Sequence, residues 1–295
     1  MGYEVKVIEN VESRKIVPLL VEQLCVSERR AKRLIDKGRV KQNGEIVVKK
    51  GQIVSGKIEA LVFLPTVDME LNPIYDVKDF AIFDKPSGML SHPNGFDAPP
   101  SLLDYAKVCF GNDANITHRL DALTSGLIIV AKNRATETDF KNMFEARGVQ
   151  KNYLALLKGG LENEITVNVA LKQEPFGDVR LKMCVHIDGK ECITTFIPLE
   201  ICDKYTLVKV IPQTGRMHQI RAHAEHIGHP IFGDPLYGVS SDIAKAYLEK
   251  TIAQDELEIF TKAKRLCLHA CYLEFCYGNE SVKVEQMHDL MQYLI

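Results

Sequence analysis

The sequence lacks any apolar run close to the roughly 20 residues that a membrane-spanning helix needs. Residues 1–6 also lack the apolar core of a secretory signal peptide, and Lys6 stands where a myristoylation signal requires Ser or Thr. Hydrophobic residues make up 46% of the chain and charged residues 26%, which is typical of globular proteins. We therefore expect a cytoplasmic protein that does not bind a membrane.

Cys-x-x-Cys pairs are also missing. The eight cysteines are scattered along the chain, mostly in apolar surroundings, and no Cys-x-x-Cys pair occurs. Zinc sites commonly use such pairs, and disulfides belong to oxidising compartments. The spacing therefore favours reduced thiols that pack as small hydrophobic side chains.

Neither sign of charge is in large excess, since the formal net charge is −2. A protein with this charge does not attract nucleic acid through its whole surface, so any RNA binding must come from local basic patches. The 295 residues are enough for about two domains with a sizeable core.

The strongest local pattern covers residues 117–132. Residues 127–131 are an unbroken apolar run rich in branched side chains, which predicts a strand buried on both faces. The Thr-Ser-Gly before this run is typical of a turn, so Asp121 is expected on a loop that leads into a core strand. The cationic residues His118 and Arg119 lie beside it in the sequence. A carboxylate held there is suited to act as a nucleophile or base, but a loop-capping or surface ion-paired aspartate fits the same residues.

Further segments resemble known motifs in the same order along the chain. They are residues 83–93 (Phe-Asp-Lys-Pro-Ser-Gly-Met-Leu-Ser-His-Pro), 151–156 (Lys-Asn-Tyr-Leu-Ala-Leu), 214–223 with 228–238, and 265–270 (Arg-Leu-Cys-Leu-His-Ala). Together with His-Arg-Leu-Asp at 118–121, they resemble the motifs of the RluA-type pseudouridine synthases. Several separated matches in order are much more specific than any single match. The resemblance implies an isomerase that converts specific uridines of RNA to pseudouridine.

The resemblance also implies roles for four residues. Asp121 matches the catalytic aspartate, and Arg119 matches the arginine that helps to displace the target base and takes its place. Tyr153 matches the tyrosine that packs on the uracil ring and acts in the final removal of the C5 proton. Arg221 matches the basic residue that pairs with the catalytic carboxylate, and a cation within about 4–6 Å would stabilise its charge. The reaction neither adds nor removes atoms, so no cofactor is expected.

The segment after residue 78 alternates many short strands with a few helices. These include strands around 165–171 and a helix over 217–227. This pattern predicts an α+β domain. The resemblance implies the same class, a catalytic domain of pseudouridine synthase type with a mixed, mainly antiparallel sheet.

The first part of the chain predicts a separate α/β unit. Helical spacing near 14–24 and again before Gly38 predicts two short helices, and Asn43-Gly44 predicts a hairpin over 40–47. This order resembles the alpha-L RNA-binding motif, with candidate RNA-binding residues Arg29, Arg30, Lys32, Arg33, Arg39 and Lys41. A solvated helix face fits the same charges. We expect an RNA-binding domain over 1–64, a linker over 65–77 and a catalytic domain over 78–295.

Several alternatives fit parts of the sequence. The histidine run His218, His223, His226 and His229 lacks a zinc spacing such as His-Glu-x-x-His, so hydrogen bonds to backbone or phosphate are favoured over a metal site or a metallohydrolase. An RNA chaperone or ribosome-assembly factor without catalysis, or a synthase acting on tRNA, also remains open. The alpha-L resemblance favours large-subunit (23S) ribosomal RNA by analogy alone. Nothing indicates an obligate protein partner.

Overall fold

The computed structural model describes residues 3–24, 26, 28–63, 71–93, 101–174 and 182–295. The chain divides into two compact units. The first contains Met1–Leu71 and His92–Asn112, and the second contains Asn72–Ser91 and Asp113–Ile295. Residues 65–70 of the expected linker lie outside the described ranges, so the position of that linker stays a prediction. Both units combine helices with mainly antiparallel sheets, which confirms the α+β class.

The first unit contains an antiparallel four-stranded sheet and three helices. The strands are β1 (Tyr3–Lys15), β2 (Val40–Gln42), β3 (Glu45–Ile46) and β4 (Ile53–Phe63), in the spatial order β1–β4–β2–β3. The helices are α1 (Ile16–Leu24), α2 (Glu28–Asp36) and α3 (Leu102–Phe110). Asn43 and Gly44 form the predicted hairpin turn, and both have the positive φ (48° and 89°) that a type I′ turn requires.

The core of the first unit explains the helical spacing in its sequence. Ile16 and Leu20 of α1 are buried together with Ala31 and Ile35 of α2 in a cluster that includes Ile58 of β4. The residues that recur at helical spacing are therefore those that the helices bury against the sheet.

The second unit is built on one large sheet and a small one. The strands are β5 (Tyr75–Asp76), β6 (Phe80–Lys85), β7 (Asn115–Ile116), β8 (Ser125–Ala131), β9 (Gln150–Lys158), β10 (Ile165–Asn168), β11 (Leu171–Gln173), β12 (Met183–Val185), β13 (Ile193–Ile201), β14 (Tyr205–Pro212), β15 (Leu268–Tyr277) and β16 (Glu280–Glu285). The large sheet runs β10–β13–β14–β9–β15–β8–β6–β5, with β7 on β8 and β16 on β15. β11 and β12 form the small sheet. The strand expected over 165–171 is thus two strands in different sheets, because an apolar run does not specify its partners.

The helices of the second unit are short. They are α4 (Arg134–Glu145), α5 (Gln219–His226), α6 (Ser241–Leu248), α7 (Gln254–Thr261) and a 3₁₀ turn at Met291–Tyr293. α5 begins later than expected because His218 has a left-handed φ of 52° and stands outside the helix. Within the described ranges, no helix is long and apolar enough to cross a membrane. The seven cysteines in those ranges are all free thiols.

β8 is a central strand of the large sheet. It pairs antiparallel with β6 and parallel with β15, and all of its residues are buried. This confirms the strand that the apolar run predicts. Phe140 of α4 packs against Phe80 and Phe275, with ring centroids 5.3 Å and 5.2 Å away, in the cluster that also buries Leu127 and Ile129.

β8 and β15 approach closely at Gly126. Its φ is 117°, and a Cβ added there would lie 2.3 Å from the carbonyl oxygen of Ala270. Only glycine allows this conformation and this approach. On the other side of β15, Ala270 is in register with Tyr153 of β9. The contact therefore fixes where the Asp121 loop enters the sheet relative to Tyr153.

We expect Gly126→Ala to destabilise the protein by about 2–5 kcal/mol, because overpacking and backbone strain both oppose the added methyl group. Denaturant unfolding followed by circular dichroism measures the loss. Gly160→Ala is the matched control, since its Cβ would lie 3.7 Å from the nearest atom, an ordinary contact. Equal stabilities of the two variants would contradict the close β8–β15 contact.

Candidate active site

Asp121 lies on the loop between β7 and β8, and residues 85–91 hold that loop through hydrogen bonds. Lys85 Nζ and the Gly88 N–H both donate to the carbonyl oxygen of Ala122, at 3.1 Å and 2.8 Å. Ser87 Oγ donates to Leu123 O at 2.6 Å, and Ser91 Oγ donates to Leu120 O at 2.7 Å. These bonds fix the backbone on both sides of Asp121. Its side chain remains 29% exposed, so a fixed loop presents a reachable carboxylate.

Lys85 is the buried centre of this arrangement. Its side chain is fully buried, and its ammonium also donates to the carbonyl oxygens of Pro86 (3.0 Å) and Met89 (2.8 Å). Burial lowers the pKa of Lys85 to about 7, although the Asp121 carboxylate opposes this shift. Three carbonyl acceptors match the three donors of an ammonium group. Lys85 therefore supports the loop from inside.

His118 does not supply the positive charge that the sequence pattern predicts beside Asp121. Its Nε2 accepts a hydrogen bond from the Ile129 N–H at 3.0 Å, and its ring centroid lies 4.8 Å from that of Phe144. Burial lowers the pKa of His118 to about 3, and the nearby charge of Lys151 acts in the same direction. His118 is therefore neutral at neutral pH and ties the loop to β8.

Arg221 of α5 lies between two carboxylates. Its side chain is 2% exposed, and its Nε and Nη2 donate to Asp234 at 2.7 Å and 2.8 Å. Its Nη1 lies 3.4 Å from Asp121 Oδ2, the pair that the resemblance implies. Burial opposes the charge, but Asp234 and Asp121 outweigh it and raise the pKa of Arg221 above its usual value. Arg221 is therefore a permanent cation next to Asp121.

Asp234 lies in the 228–238 segment that resembles a family motif, but the sequence does not reveal its role in the site. It is fully buried, and its Oδ1 also accepts hydrogen bonds from the N–H groups of Leu236 (2.9 Å) and Tyr237 (3.1 Å). These bonds orient the Asp234 carboxylate, which in turn orients Arg221. The Gly-Asp-Pro around Asp234 is typical of a turn, so nothing in the sequence distinguishes this aspartate from an exposed one.

His218 is a further neighbour of the Asp121 carboxylate. Its Nε2 lies 3.8 Å from Asp121 Oδ2, and its Nδ1 lies 3.2 Å from the Tyr237 hydroxyl. Its left-handed backbone is uncommon for a residue with a side chain. Burial and then the charge of Arg221 lower the pKa of His218 to about 4, against the effect of Asp121. His218 is therefore a neutral polar group beside the carboxylate.

Tyr153 lies on β9, between β14 and β15. Its side chain is largely buried, and among the described residues none hydrogen-bonds its hydroxyl. Burial and then the negative charge of Asp121 raise the pKa of Tyr153. The phenol is thus protonated, and its hydroxyl has no hydrogen-bond partner among the described residues.

Residues 79–226 match the RNA pseudouridylate synthase family. An RNA pseudouridine synthase of Helicobacter pylori, itself described as uncharacterized, is 35% identical over 280 residues, which cover 94% of this chain and 92% of that protein. The chain belongs to the RluA-type RNA pseudouridine synthases. It is therefore an isomerase that acts on RNA.

Other members of the family extend this comparison. The ribosomal large subunit pseudouridine synthase D of Xylella fastidiosa is 31% identical over 263 residues, covering 85% of this chain and 77% of that protein. The solved structure of human RNA pseudouridylate synthase domain containing 1 has a TM-score of 0.60 and 27% identity, covering 77% of this chain and 86% of that one. The pseudouridine synthase fold is therefore shown by structure as well as by sequence.

The other RNA-binding candidates of this pseudouridine synthase are distributed over both units. Arg119 is exposed on the Asp121 loop of the second unit. Arg29, Lys32 and Arg33 of the first unit are exposed, Arg39 and Lys41 are half-buried, and the side chain of Arg30 lies outside the described residues. Lys32 pairs with Glu28 at 2.6 Å. The structure thus leaves Arg29 and Arg33 as the described cations of α2 without an ion pair.

The histidine run of the synthase does not converge on one point. His223 Nε2 lies 3.3 Å from the Val169 carbonyl oxygen, and His229 Nδ1 lies 2.9 Å from that of Lys158. His226 is exposed. Across the part of the chain that the structure describes, no group of three or more His, Cys, Asp or Glu side chains could hold a metal ion. Two of the four histidines thus contact backbone oxygens, as the spacing favours.

Arg221→Met should reduce stability as well as activity. The variant leaves Asp234 buried without its partner, and breaking a buried ion pair in this way costs about 3–5 kcal/mol. Adding Asp234→Asn removes the unpaired charge, so the double variant should recover most of this loss. Neither variant should regain isomerase activity, because Asp121 still lacks its cation.

Denaturant unfolding followed by circular dichroism compares the single and double variants with the wild type. If the single variant is as stable as the double variant, Asp234 does not depend on Arg221 in the way that the 2.7 Å and 2.8 Å contacts indicate.

Proposed function

We propose that this synthase modifies uridine in large-subunit ribosomal RNA, with Asp121 as the carboxylate that attacks the target nucleotide. The name of the Xylella fastidiosa relative supports the substrate, as does that of a Pseudomonas aeruginosa relative with the same name and 31% identity. The observation that carries the catalytic role is the accessible Asp121 carboxylate, 3.4 Å from the buried guanidinium of Arg221.

The reaction breaks the N1–C1′ bond of uridine and forms a C5–C1′ bond. A carboxylate that adds to C1′ or C6 and later departs allows the uracil to turn without any other reactant. C5 loses a proton and N1 gains one, so the nucleotide keeps its composition. Arg221 stabilises the charge of Asp121 before addition and after departure.

Tyr153 is proposed to pack on the uracil and to act on its C5 proton. Because its pKa is raised, the phenol is not a ready base in the free enzyme. It can accept the C5 proton only if its own proton passes to another group at the same time. Asp121, whose charge raises the pKa of Tyr153, is the proposed acceptor of the phenol proton once the carboxylate has departed from the sugar or base.

Arg119 is proposed to stabilise the open state of the RNA. A uridine in folded RNA must leave its stack before Asp121 can reach it. Arg119 is exposed on the same loop, two positions before Asp121. Its planar guanidinium can stack on the neighbouring bases in the space that the uridine vacates.

The first unit is proposed to supply additional contacts with the RNA backbone. A shallow groove on its surface is lined by Glu28, Arg29, Lys32, Arg33, Asp36 and Lys50. Cations outnumber acids in this groove, and neutralising phosphates there would release counterions.

Tritium release from uridine labelled at C5 tests the proposed function. The purified protein is given ribosomal RNA and tRNA fractions, each from a strain that lacks it. We expect release from the ribosomal RNA alone. Release from tRNA alone would assign a tRNA substrate, and release from neither would favour an RNA-binding assembly factor.

Asp121→Asn should lower tritium release by at least about 10³-fold, because an amide is a poor nucleophile and losing a nucleophile costs several orders of magnitude. RNA affinity should not weaken, since a negative charge is removed. The same tritium assay and a filter-binding titration measure the two effects. Activity within about tenfold of the wild type would exclude Asp121 from the mechanism.

Tyr153→Phe should separate packing from proton transfer. The variant keeps the ring, and no protein hydrogen bond is lost, so its unfolding midpoint should equal that of the wild type. Loss of a positioned acid–base group should lower kcat by about 10²–10⁴-fold. A kcat close to that of the wild type would mean that Tyr153 acts through packing alone.

A further inference from the structure

Lys151 is a cation near the site that none of these roles uses. It lies on β9, two positions before Tyr153. Side chains of alternate residues in a strand point to the same face of the sheet. Lys151 therefore projects from the same face of the sheet as Tyr153.

The ammonium of Lys151 has no ion-pair or hydrogen-bond partner among the described residues. Its Nζ lies 6.0 Å from the centroid of the Phe144 ring, at the outer limit of a cation–π contact. Among the described residues, no carboxylate lies within ion-pair distance of Nζ and no acceptor hydrogen-bonds it. Its side chain is half-buried, so this positive charge is partly desolvated, and no described residue compensates it.

Two loops of the site region come close to Lys151. His118, three residues before Asp121, packs on the same Phe144 ring, with the two ring centroids 4.8 Å apart. A Cβ added to Gly215 would lie 3.2 Å from Lys151 Nζ, so the glycine leaves room for the ammonium. Lys151 thus stands where the Asp121 loop, β9 and the loop before α5 meet.

Hydrogen bonds hold the loop before α5, which carries a second cation without an ion pair among the described residues. Gln219 Oε1 accepts hydrogen bonds from Thr214 Oγ1 at 2.7 Å and from the Arg216 N–H at 3.1 Å, which fixes the loop on both sides of Gly215. The Arg216 side chain is exposed and forms no ion pair with any described residue. Lys151 Nζ lies beside Gly215 and Arg216 is the next residue in the chain, and neither cation is paired with a carboxylate of the described residues.

We propose that Lys151, with Arg216 on the adjoining loop, binds a phosphodiester group of the RNA strand next to the target uridine. The inference rests on the proposed function, because it places the substrate backbone in the same site. A partly desolvated ammonium without a counter-ion is costly until an anion approaches it. RNA supplies such an anion on both sides of every uridine. Lys151 and Arg216 then fix the strand while Asp121 acts on the sugar or base.

Steady-state tritium release at a series of KCl concentrations tests the subsite. The probe is total RNA, labelled with tritium at C5 of uridine, from a strain that lacks the protein. The variants are Lys151→Met and Lys151→Gln, which remove the charge, and Lys151→Arg, which keeps it. Lys245→Met is the matched control, since Lys245 is an exposed lysine of α6 in the same unit.

We expect Lys151→Met to lower kcat/KM by about 10–100-fold, mainly through KM, because a charge-assisted contact is lost. The slope of log kcat/KM against log salt should decrease in magnitude by about 0.7–1, the change expected for one phosphate contact. Lys151→Arg should keep the slope, and Lys245→Met should match the wild type. If the Met variant does not fold, the Gln variant gives the same comparison.

A wild-type salt slope of kcat/KM in the Met or Gln variant would contradict the phosphate subsite. Equal losses of kcat/KM in the Met and Arg variants, with no change of the salt slope, would also contradict it. Those results would mean that Lys151 only packs on Phe144. The wild type serves as the separate test of the proposed function: if it releases no tritium from any RNA, that function fails, whatever the variants do.

Discussion

The buried guanidinium of Arg221 is the interaction on which the site depends. It faces two carboxylates, so the group of three carries one uncompensated negative charge. Asp234, which is fully buried, takes the two short hydrogen bonds, whereas Asp121 takes one longer contact at 3.4 Å and is 29% exposed. The excess charge therefore stays on the carboxylate that solvent and substrate can reach. Asp234 satisfies the arginine, and Asp121 remains available for chemistry.

The large sheet places the partners of this interaction near one another. β15 lies between β8 and β9, and its Ala270 is in register with Gly126 on one side and Tyr153 on the other. The Asp121 loop enters β8 at this point, so its position relative to Tyr153 is set by main-chain pairing. Lys85 then supports the loop through the carbonyl of Ala122. Because main-chain hydrogen bonds and buried groups hold the loop, the backbone position of Asp121 does not depend on contacts of the Asp121 side chain.

The sequence locates the reactive groups better than it locates the groups that hold them. The run over 127–131 identifies a strand buried on both faces because such a strand has no polar positions. Asp234 and Lys85 lie in motif-like segments, but their supporting roles are not identifiable, since charged residues are usually exposed and the burial of these two depends on partners 13 and 37 positions away. The pairing of Gly126 with Ala270 is equally hidden, because no local pattern specifies a parallel neighbour so distant in the chain. The sequence pattern predicts a cationic His118, but the buried imidazole is neutral, because a local pattern does not show which side chains are buried.

Pseudouridine mapping in a strain that lacks this protein tests most directly whether Asp121 carries out the isomerisation. The strain is complemented with the wild-type chain or with Asp121→Asn, expressed at the same level. We expect the pseudouridines that this synthase makes to be missing from large-subunit ribosomal RNA in the deletion strain. They should return with the wild type and stay missing with the variant. Return of the modification with Asp121→Asn would contradict the role of Asp121.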